Sequence, residues 1–253
     1  MLKSCIFGTI GNAGMSFTEK INSNLVKMYN YTCSCFDEVC YADFQKMINE
    51  NCGISESNVR MYSPFLFSHG FINDYKNKGD IKISDFFTQL GKAFVKSLIV
   101  SSMIENESHK VLAQNITKDI LALSMFRRKE IDKKEYYFDF LEFCVKYDSI
   151  SVKEFNYMLY EKEMLNNENY IDGVSAAIQQ FRCGDIDFIF LQDRVSKQGE
   201  KVREAFPDNT FNYTRNLLLE SGLINELENK TYVINSDKKY IVHELLEGVI
   251  PNE

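Results

Sequence analysis

The sequence predicts a mainly α protein with small β-hairpin wings, organised as two winged-helix units joined by a helical linker. Apolar residues recur at helical spacing through most of the chain, and only three prolines and 12 glycines interrupt it. One helix–glycine–hairpin pattern also occurs twice. We assign residues 1–100 to N-terminal helices and the first winged-helix unit, 101–148 to the helical linker, and 149–253 to the second unit.

Two amphipathic helices are predicted near the N-terminus, over residues 16–30 and 40–50. Phe17, Ile21 and Leu25 recur at helical spacing in the first of these segments. That spacing places apolar side chains on one face of a helix, which is what makes these helices amphipathic.

The first helix–hairpin pattern occupies the segment that follows. A helix is predicted to begin near Ser55 or Ser57 and to stop at His69-Gly70, and a hairpin is predicted from residues 71–73 and 81–83. The residues between these two arms include Asn77-Lys78-Gly79-Asp80, and polar residues around a glycine between two apolar arms are typical of a hairpin turn.

Further helices are predicted over residues 110–126, 134–147 and 170–181. Ser151-Val152-Lys153-Glu154 forms a capping box, because the serine hydroxyl can accept the N–H of Glu154 while the glutamate side chain accepts the N–H of Ser151. A helix therefore begins directly after Ser151.

The C-terminal third repeats the pattern of the first unit. Residues 220–225, Glu-Ser-Gly-Leu-Ile-Asn, match residues 68–73, Ser-His-Gly-Phe-Ile-Asn, and each is followed by a polar turn and a strand. A helix followed at once by a two-stranded hairpin is the last helix and wing of a winged helix, whose second helix enters the major groove of DNA. Two unrelated helix–hairpin connections in an α+β domain remain the alternative.

The charge of the chain bears on nucleic-acid binding in two opposite ways. A net charge of −7 is unfavourable, since affinity for phosphates depends on lysine and arginine. Basic residues nevertheless cluster at 127–134 and at 194–203. Because a protein's field acts locally, within a Debye length of about 10 Å, such clusters can bind phosphates. Solvated helix faces are the alternative explanation for both runs.

Several short motifs resemble one family along nearly the whole chain. They are Phe7-Gly8-Thr9-Ile10-Gly11-Asn12 at the start, Gly70-Phe71-Ile72 with Gly79-Asp80-Ile81-Lys82-Ile83-Ser84 in the first unit, residues 150–155, and residues 214–223. Their order resembles the N-terminal, DNA-recognition region of type IIS restriction endonucleases and related nicking endonucleases. The resemblance implies sequence-specific binding of double-stranded DNA in a restriction–modification system.

Catalytic residues are not predicted in this chain. In that family a metal-dependent nuclease domain of the Asp…Glu-x-Lys kind follows the recognition region. Here Asp185 and Asp187 are followed by Gln192-Asp193-Arg194, which lacks the lysine, and no residue separates Glu200 from Lys201. A two-carboxylate site needs all its members at once. We therefore expect no cofactor, with Mg²⁺ required only if a nuclease domain or a separate nuclease subunit is associated.

DNA-contacting residues are predicted from the place of each residue in a winged helix. The N-terminal part of the recognition helix faces the base edges, where arginine recognises guanine and asparagine recognises adenine. The predicted base contacts are Asn58, Arg60 and Tyr62 in the first unit, and Thr210, Asn212, Tyr213, Thr214 and Arg215 in the second. The predicted phosphate contacts are Thr9, Asn12, Lys76, Lys78, Lys82, Arg127, Arg128, Lys197, Lys201 and Arg203. Ordinary surface side chains, or a core position for Tyr213, are the alternatives.

Other constellations favour structural interpretations. The glycines at 8, 11 and 14 lack the Gly-Lys-Ser/Thr of a phosphate-binding loop, and Cys33, Cys35, Cys40 and Cys52 lack the paired spacing of a zinc site. No signal peptide and no membrane span is predicted, so we expect free thiols and a cytoplasmic protein. A winged-helix transcriptional regulator and a protein-interaction module remain the alternative functions.

Overall fold

The computed structural model describes residues 2–7, 15–74, 80–131, 136–195, 201–205 and 209–247. The chain divides into two compact units. One, here called the sheet unit, comprises Met1–Gly14, Tyr136–Leu219 and Ile224–Lys239; the other, the helical unit, comprises Met15–Glu135, Glu220–Leu223 and Tyr240–Glu253. These ranges do not coincide with the three segments predicted from the sequence.

Helices form most of the described chain, and the strands are short except in one sheet. The helices are α1 (Glu19–Ser34), α2 (Tyr41–Cys52), α3 (Glu56–Ser68), α4 (Gln89–Met103), α5 (Glu107–Ile131), α6 (Tyr136–Tyr147), α7 (Val152–Leu159), α8 (Tyr170–Gly173), α9 (Ser175–Cys183), α10 (Asn209–Glu220) and α11 (Lys239–Glu247). The strands are β1 (Leu2–Phe7), β2 (Glu38–Cys40), β3 (Asp80–Lys82), β4 (Ile186–Val195), β5 (Lys201–Ala205), β6 (Ile224–Glu226) and β7 (Tyr232–Ile234). The predicted class, mainly α with small hairpins, is confirmed at this level.

Helices α1 and α3 begin where the sequence supplies a cap. The Thr18 hydroxyl accepts the N–H of Ile21 at the start of α1, and the Ser55 hydroxyl accepts the N–H of Asn58 at the start of α3. The apolar stripe of α1 is buried, as predicted, through Leu25. The helix continues to Ser34, beyond the end predicted for it at residue 30.

Strand pairing in the helical unit differs from the prediction. The strand expected at 81–83 is present as β3, but its ladder partner is β2, with Val39 opposite Ile81. Residues 71–73 were expected to be its hairpin partner. Ile72 instead forms an antiparallel bridge to Phe87, which follows β3 in the sequence. A 3₁₀ turn at Ile83–Asp85 separates the two pairings. The predicted single hairpin is therefore a broader three-segment arrangement in which β2 takes part.

A three-stranded sheet in the sheet unit has no counterpart in the prediction. β1 lies parallel to β4, with Leu2 opposite Ile186, and β5 lies antiparallel to β4 on its other edge. In β4 the alternate residues Phe188 and Phe190 are buried. The alternation follows Gly184, whose φ is positive, and it is the feature of the sequence from which this strand could have been predicted.

The same order of elements occurs twice. In the first copy it is α1, β2, α2, α3, a left-handed Gly70, the Ile72 segment, β3, a 3₁₀ turn and α4. In the second copy it is α6, Ile150, α7, α10, a left-handed Gly222, β6, β7, a 3₁₀ turn and α11.

The strand pairing repeats in part: among the described residues, both copies pair the last strand with residues that follow the first helix, but only the second has a ladder between the two strands that follow the glycine. β3 pairs with β2 in the first copy, and β7 pairs with Ile150 and with β6 in the second. Between α7 and α10 the second copy additionally contains α8, α9, β4 and β5. The sequence similarity of residues 68–73 and 220–225 thus marks equivalent places in two similar orders of elements.

Candidate nucleic-acid interface

The helix α10 has one polar face. Thr210, Phe211, Thr214, Leu217 and Leu218 are its buried residues. Asn209 is exposed, Asn212 and Asn216 are half-buried, and Tyr213 is 37% exposed. These four residues follow an i, i+3, i+4, i+7 spacing, so they lie on one side of the helix. Tyr213 is therefore not a core residue, whereas the predicted base contacts Thr210 and Thr214 face inward and are not on this polar side.

Arg215 is held by contacts within the sheet unit. Its guanidinium carbon lies 5.7 Å from the ring centroid of Phe211 and 5.7 Å from that of Tyr232. Nη1 donates to the Tyr232 hydroxyl at 3.2 Å, while Nε and Nη2 both donate to Oδ1 of Asn216, at 3.1 and 2.9 Å. Arg215 thus fixes the orientation of the Asn216 amide.

The helix α3 occupies the equivalent place in the first copy. Its exposed residues include Ser57, Arg60 and Met61. Arg60 is on the exposed side, as predicted for a base contact, and Asn58 is half-buried in the first turn. Tyr62 is buried instead, and its hydroxyl accepts a hydrogen bond from Nδ2 of Asn24 at 3.0 Å. Tyr62 therefore contributes to the core and not to the surface.

The adjacent residues Arg127 and Arg128 have opposite environments, although both were predicted as phosphate contacts. Arg127 is exposed on α5, whereas Arg128 is 6% exposed. Nη1 of Arg128 donates to Oγ of Ser68 at 2.9 Å and lies 2.8 Å from Nε2 of His69. Its guanidinium also lies 5.4 Å from the ring centroid of Phe65. Arg128 is therefore an internal residue of the helical unit, which disagrees with its predicted role.

The hydrogen bonds around His69 determine its tautomer. Ser124 Oγ donates to the carbonyl of Leu121 at 2.7 Å, so its proton is already committed. Nδ1 of His69, 2.7 Å from the same oxygen, must then carry the proton and donate it. Nε2 is left as the acceptor for Arg128. Burial, together with the neighbouring positive charge of Arg128, holds the pKa of His69 well below its usual value, so the ring is neutral.

The described part of the first wing is acidic. Lys82, a predicted phosphate contact, is exposed on β3 and lies 3.8 Å from the carboxylate of Asp85. Lys82 and Asp85 line a surface cavity whose other lining residues include Glu38, Asp74 and Asp80. Because these carboxylates repel the negatively charged phosphates, Lys82 is poorly placed to attract a DNA backbone.

The remaining predicted phosphate contacts lie in other segments. Lys201 and Arg203 belong to β5, on the edge of the three-stranded sheet. Thr9, Asn12, Lys76, Lys78 and Lys197 lie outside the described residues.

An exposed apolar stripe follows α5. Leu112, Ile116 and Leu123 are 63%, 51% and 49% exposed and follow an i, i+4, i+11 spacing on one side of the helix. Val111 and, on α4, Met103 are exposed near the turn that joins the two helices. This stripe was not among the predicted sites, although its helical spacing lies within the predicted helix 110–126. Apolar residues grouped on a surface commonly mark a binding site.

In the part of the chain that the structure describes, no group of three or more histidine, cysteine or acidic side chains could hold a metal ion, and the cysteines at 33, 35, 40, 52, 144 and 183 are free thiols. Among the described helices, none has both the length and the apolar character needed to cross a bilayer.

Comparisons of the chain with protein-family models, with curated proteins and with solved structures found no match. The resemblance to the recognition region of type IIS restriction endonucleases therefore remains a prediction from the sequence.

Proposed function

We propose that the protein is a sequence-specific double-stranded DNA-binding protein with two winged-helix units. The observation that carries the proposal is the repeated order of elements: in each copy the last strand pairs with residues that follow the first helix, β2 in the first copy and the single bridge residue Ile150 in the second. In a winged helix, the helix immediately before the hairpin enters the major groove. That place belongs to α3 in the first copy and to α10 in the second.

The two recognition helices present different side chains to a groove. α3 offers Arg60, whose guanidinium can bond guanine O6 and N7, and α10 offers its asparagines and Tyr213. Phosphate contacts come from Arg127 and from the basic positions of β5, since the described part of the first wing is acidic. As the resemblance implies, cleavage would require a nuclease domain or subunit associated with this chain, and Mg²⁺ would enter only there.

A selection from a random-duplex pool tests the proposal. The protein should enrich one motif, and the logarithm of the binding constant for it should fall with log salt by about 0.9 for each phosphate contacted. Arg60→Ala should weaken binding to the selected duplex about tenfold or more and relax the sequence preference. Lys20→Ala, an equally exposed basic position on α1, is the matched control and should change neither. A wild-type protein that enriches no motif at any salt concentration would refute the proposal.

A second candidate function is a winged-helix regulator that binds DNA as a homodimer. The apolar stripe of α5 favours it, because a two-fold axis brings the same surface of two copies together and would cover Leu112, Ile116 and Leu123 at once. Sedimentation velocity should then give a dimer that Ile116→Glu converts to a monomer, while Lys118→Glu, also exposed on α5, leaves it intact. A wild-type protein that stays monomeric at high concentration argues against this candidate.

A further inference from the structure

The polar face of α10 is built from three asparagines and one tyrosine. Asn209 and Asn212 have no hydrogen-bond partner for their side-chain amides in the described part of the chain, although the helix around them is well packed on its other side. From this face we infer that α10 recognises adenine in consecutive A·T base pairs. The inference rests on the proposed function and specifies which bases the second unit selects.

The spacing of the asparagines suits adjacent base pairs. Residues 209, 212 and 216 lie on one side of the helix, and the distance along its axis from the first to the last is about 10.5 Å. Successive base pairs in a duplex are about 3.4 Å apart. The three amides therefore span at most about three base-pair steps, and fewer when the helix is tilted from the duplex axis to follow the groove.

Asparagine matches adenine better than it matches guanine. Its amide carries one acceptor and one donor side by side, and adenine presents N6–H₂ and N7, which are one donor and one acceptor. Guanine presents two acceptors, N7 and O6, to which arginine is the usual partner. The arginine of this helix, Arg215, uses Nε, Nη1 and Nη2 on Asn216 and Tyr232. Three of its five N–H groups are thus bonded within the sheet unit, and we assign the preference of α10 to the amides of its polar face.

Asn216 is oriented in advance by this arrangement. Its Oδ1 accepts two N–H groups from Arg215, and its Nδ2 is left to donate. In the major groove of an A·T pair, adenine N7 and thymine O4 are both acceptors that such a donor can reach. Tyr213, next to Asn212 on the same face, adds an exposed aromatic ring that can contact the thymine methyl group.

Base analogues test the inference directly. The duplex selected from the random pool should contain a run of A·T pairs. Replacing its adenines with 7-deazaadenine, which removes the N7 acceptor and leaves the pairing intact, should weaken binding about tenfold. Replacing its guanines outside the run with 7-deazaguanine should leave the contribution of α10 unchanged. Asn212→Ala should therefore weaken binding by the same factor on the natural duplex and on the 7-deazaguanine duplex.

Two variants connect the effect to α10. Asn212→Ala should weaken binding to the natural duplex about tenfold but have little further effect on the 7-deazaadenine duplex, since the contact is already lost there. Asn30→Ala, an exposed asparagine on α1, is the matched control and should behave as the wild type on both.

The outcomes separate this inference from the function on which it rests. A selected motif without A·T pairs, or equal binding to the natural and the 7-deazaadenine duplexes, overturns adenine recognition and leaves sequence-specific binding in place. If the wild-type protein selects no motif, the proposed function fails and adenine recognition fails with it.

Discussion

Replacing Arg128 with alanine removes the donor on which the buried His69 depends. In the helical unit, Arg128 donates to Nε2 of His69 at 2.8 Å and to Oγ of Ser68, and its guanidinium lies over the ring of Phe65. A buried acceptor left without its hydrogen bond costs about 1–3 kcal/mol. The lost cation–π contact adds about 1 kcal/mol. We therefore expect a loss of about 3 kcal/mol in the free energy of unfolding.

Urea denaturation followed by circular dichroism measures this loss, and Arg127→Ala provides the matched control. The control removes the same side chain from an exposed position one residue away, where surface substitutions change stability by less than about 1 kcal/mol. If both variants unfold at the same urea concentration, and Arg128→Ala instead weakens DNA binding with a smaller salt dependence, the internal role of Arg128 is refuted.

Three further predictions concern the packing and the pH dependence of the fold. Arg182→Ala should lower the free energy of unfolding by about 3 kcal/mol in urea denaturation. The variant leaves the carboxylate of Glu154, which is 3% exposed and 2.6 Å from Nε of Arg182, without its charged partner. Lys146→Ala, at a more exposed ion pair, should lower it by under about 1 kcal/mol. Gly91→Ala should lower the melting temperature strongly, since an added Cβ would lie 1.9 Å from the carbonyl oxygen of Phe71; Ala93→Ser, at an exposed position of α4, should not. Burial raises the pKa of Glu220 to about 7, so the folded protein binds this proton more tightly than the unfolded chain, and wild-type stability relative to Glu220→Gln should fall as pH rises from about 4.5 through 7. A stability difference between these two proteins that stays constant from pH 4.5 to pH 8 would contradict the buried position of Glu220.

Helical periodicity is enough to distinguish the inward from the outward residues of α5 and α10, but the predicted DNA contacts included residues from both sides. Leu121, Met125 and Arg128 follow an i, i+4, i+7 spacing and are buried together, whereas Arg127 lies one residue away on the exposed side. A run of basic residues therefore suggested one surface where the helix presents two. The positions of Thr210 and Thr214, which share a face with Leu217, could have been recognised in the same way.

Strand partners were harder to predict than strands. Alternation along β3 indicates that Ile81 faces inward, but it does not indicate which strand lies alongside. The partner, β2, is separated from β3 by the whole of α2 and α3, and only three residues pair. Likewise, β1 and β4 are far apart in sequence, and nothing local to either segment specifies a parallel neighbour.

The two copies of this order of elements separate residues that the backbone requires from residues that only form its outward surface. Both copies keep a glycine with a positive φ at the end of the third helix, 68° at Gly70 and 67° at Gly222, because any other residue would be strained there. The outward side chains of the same helices are not kept: α3 presents Arg60, and α10 presents Asn212. Since one backbone arrangement carries two different surfaces, the surfaces cannot be requirements of that arrangement. If both copies bind DNA, their preferences should therefore differ, and exchanging Arg60 for asparagine should move the first unit towards the bases selected by the second.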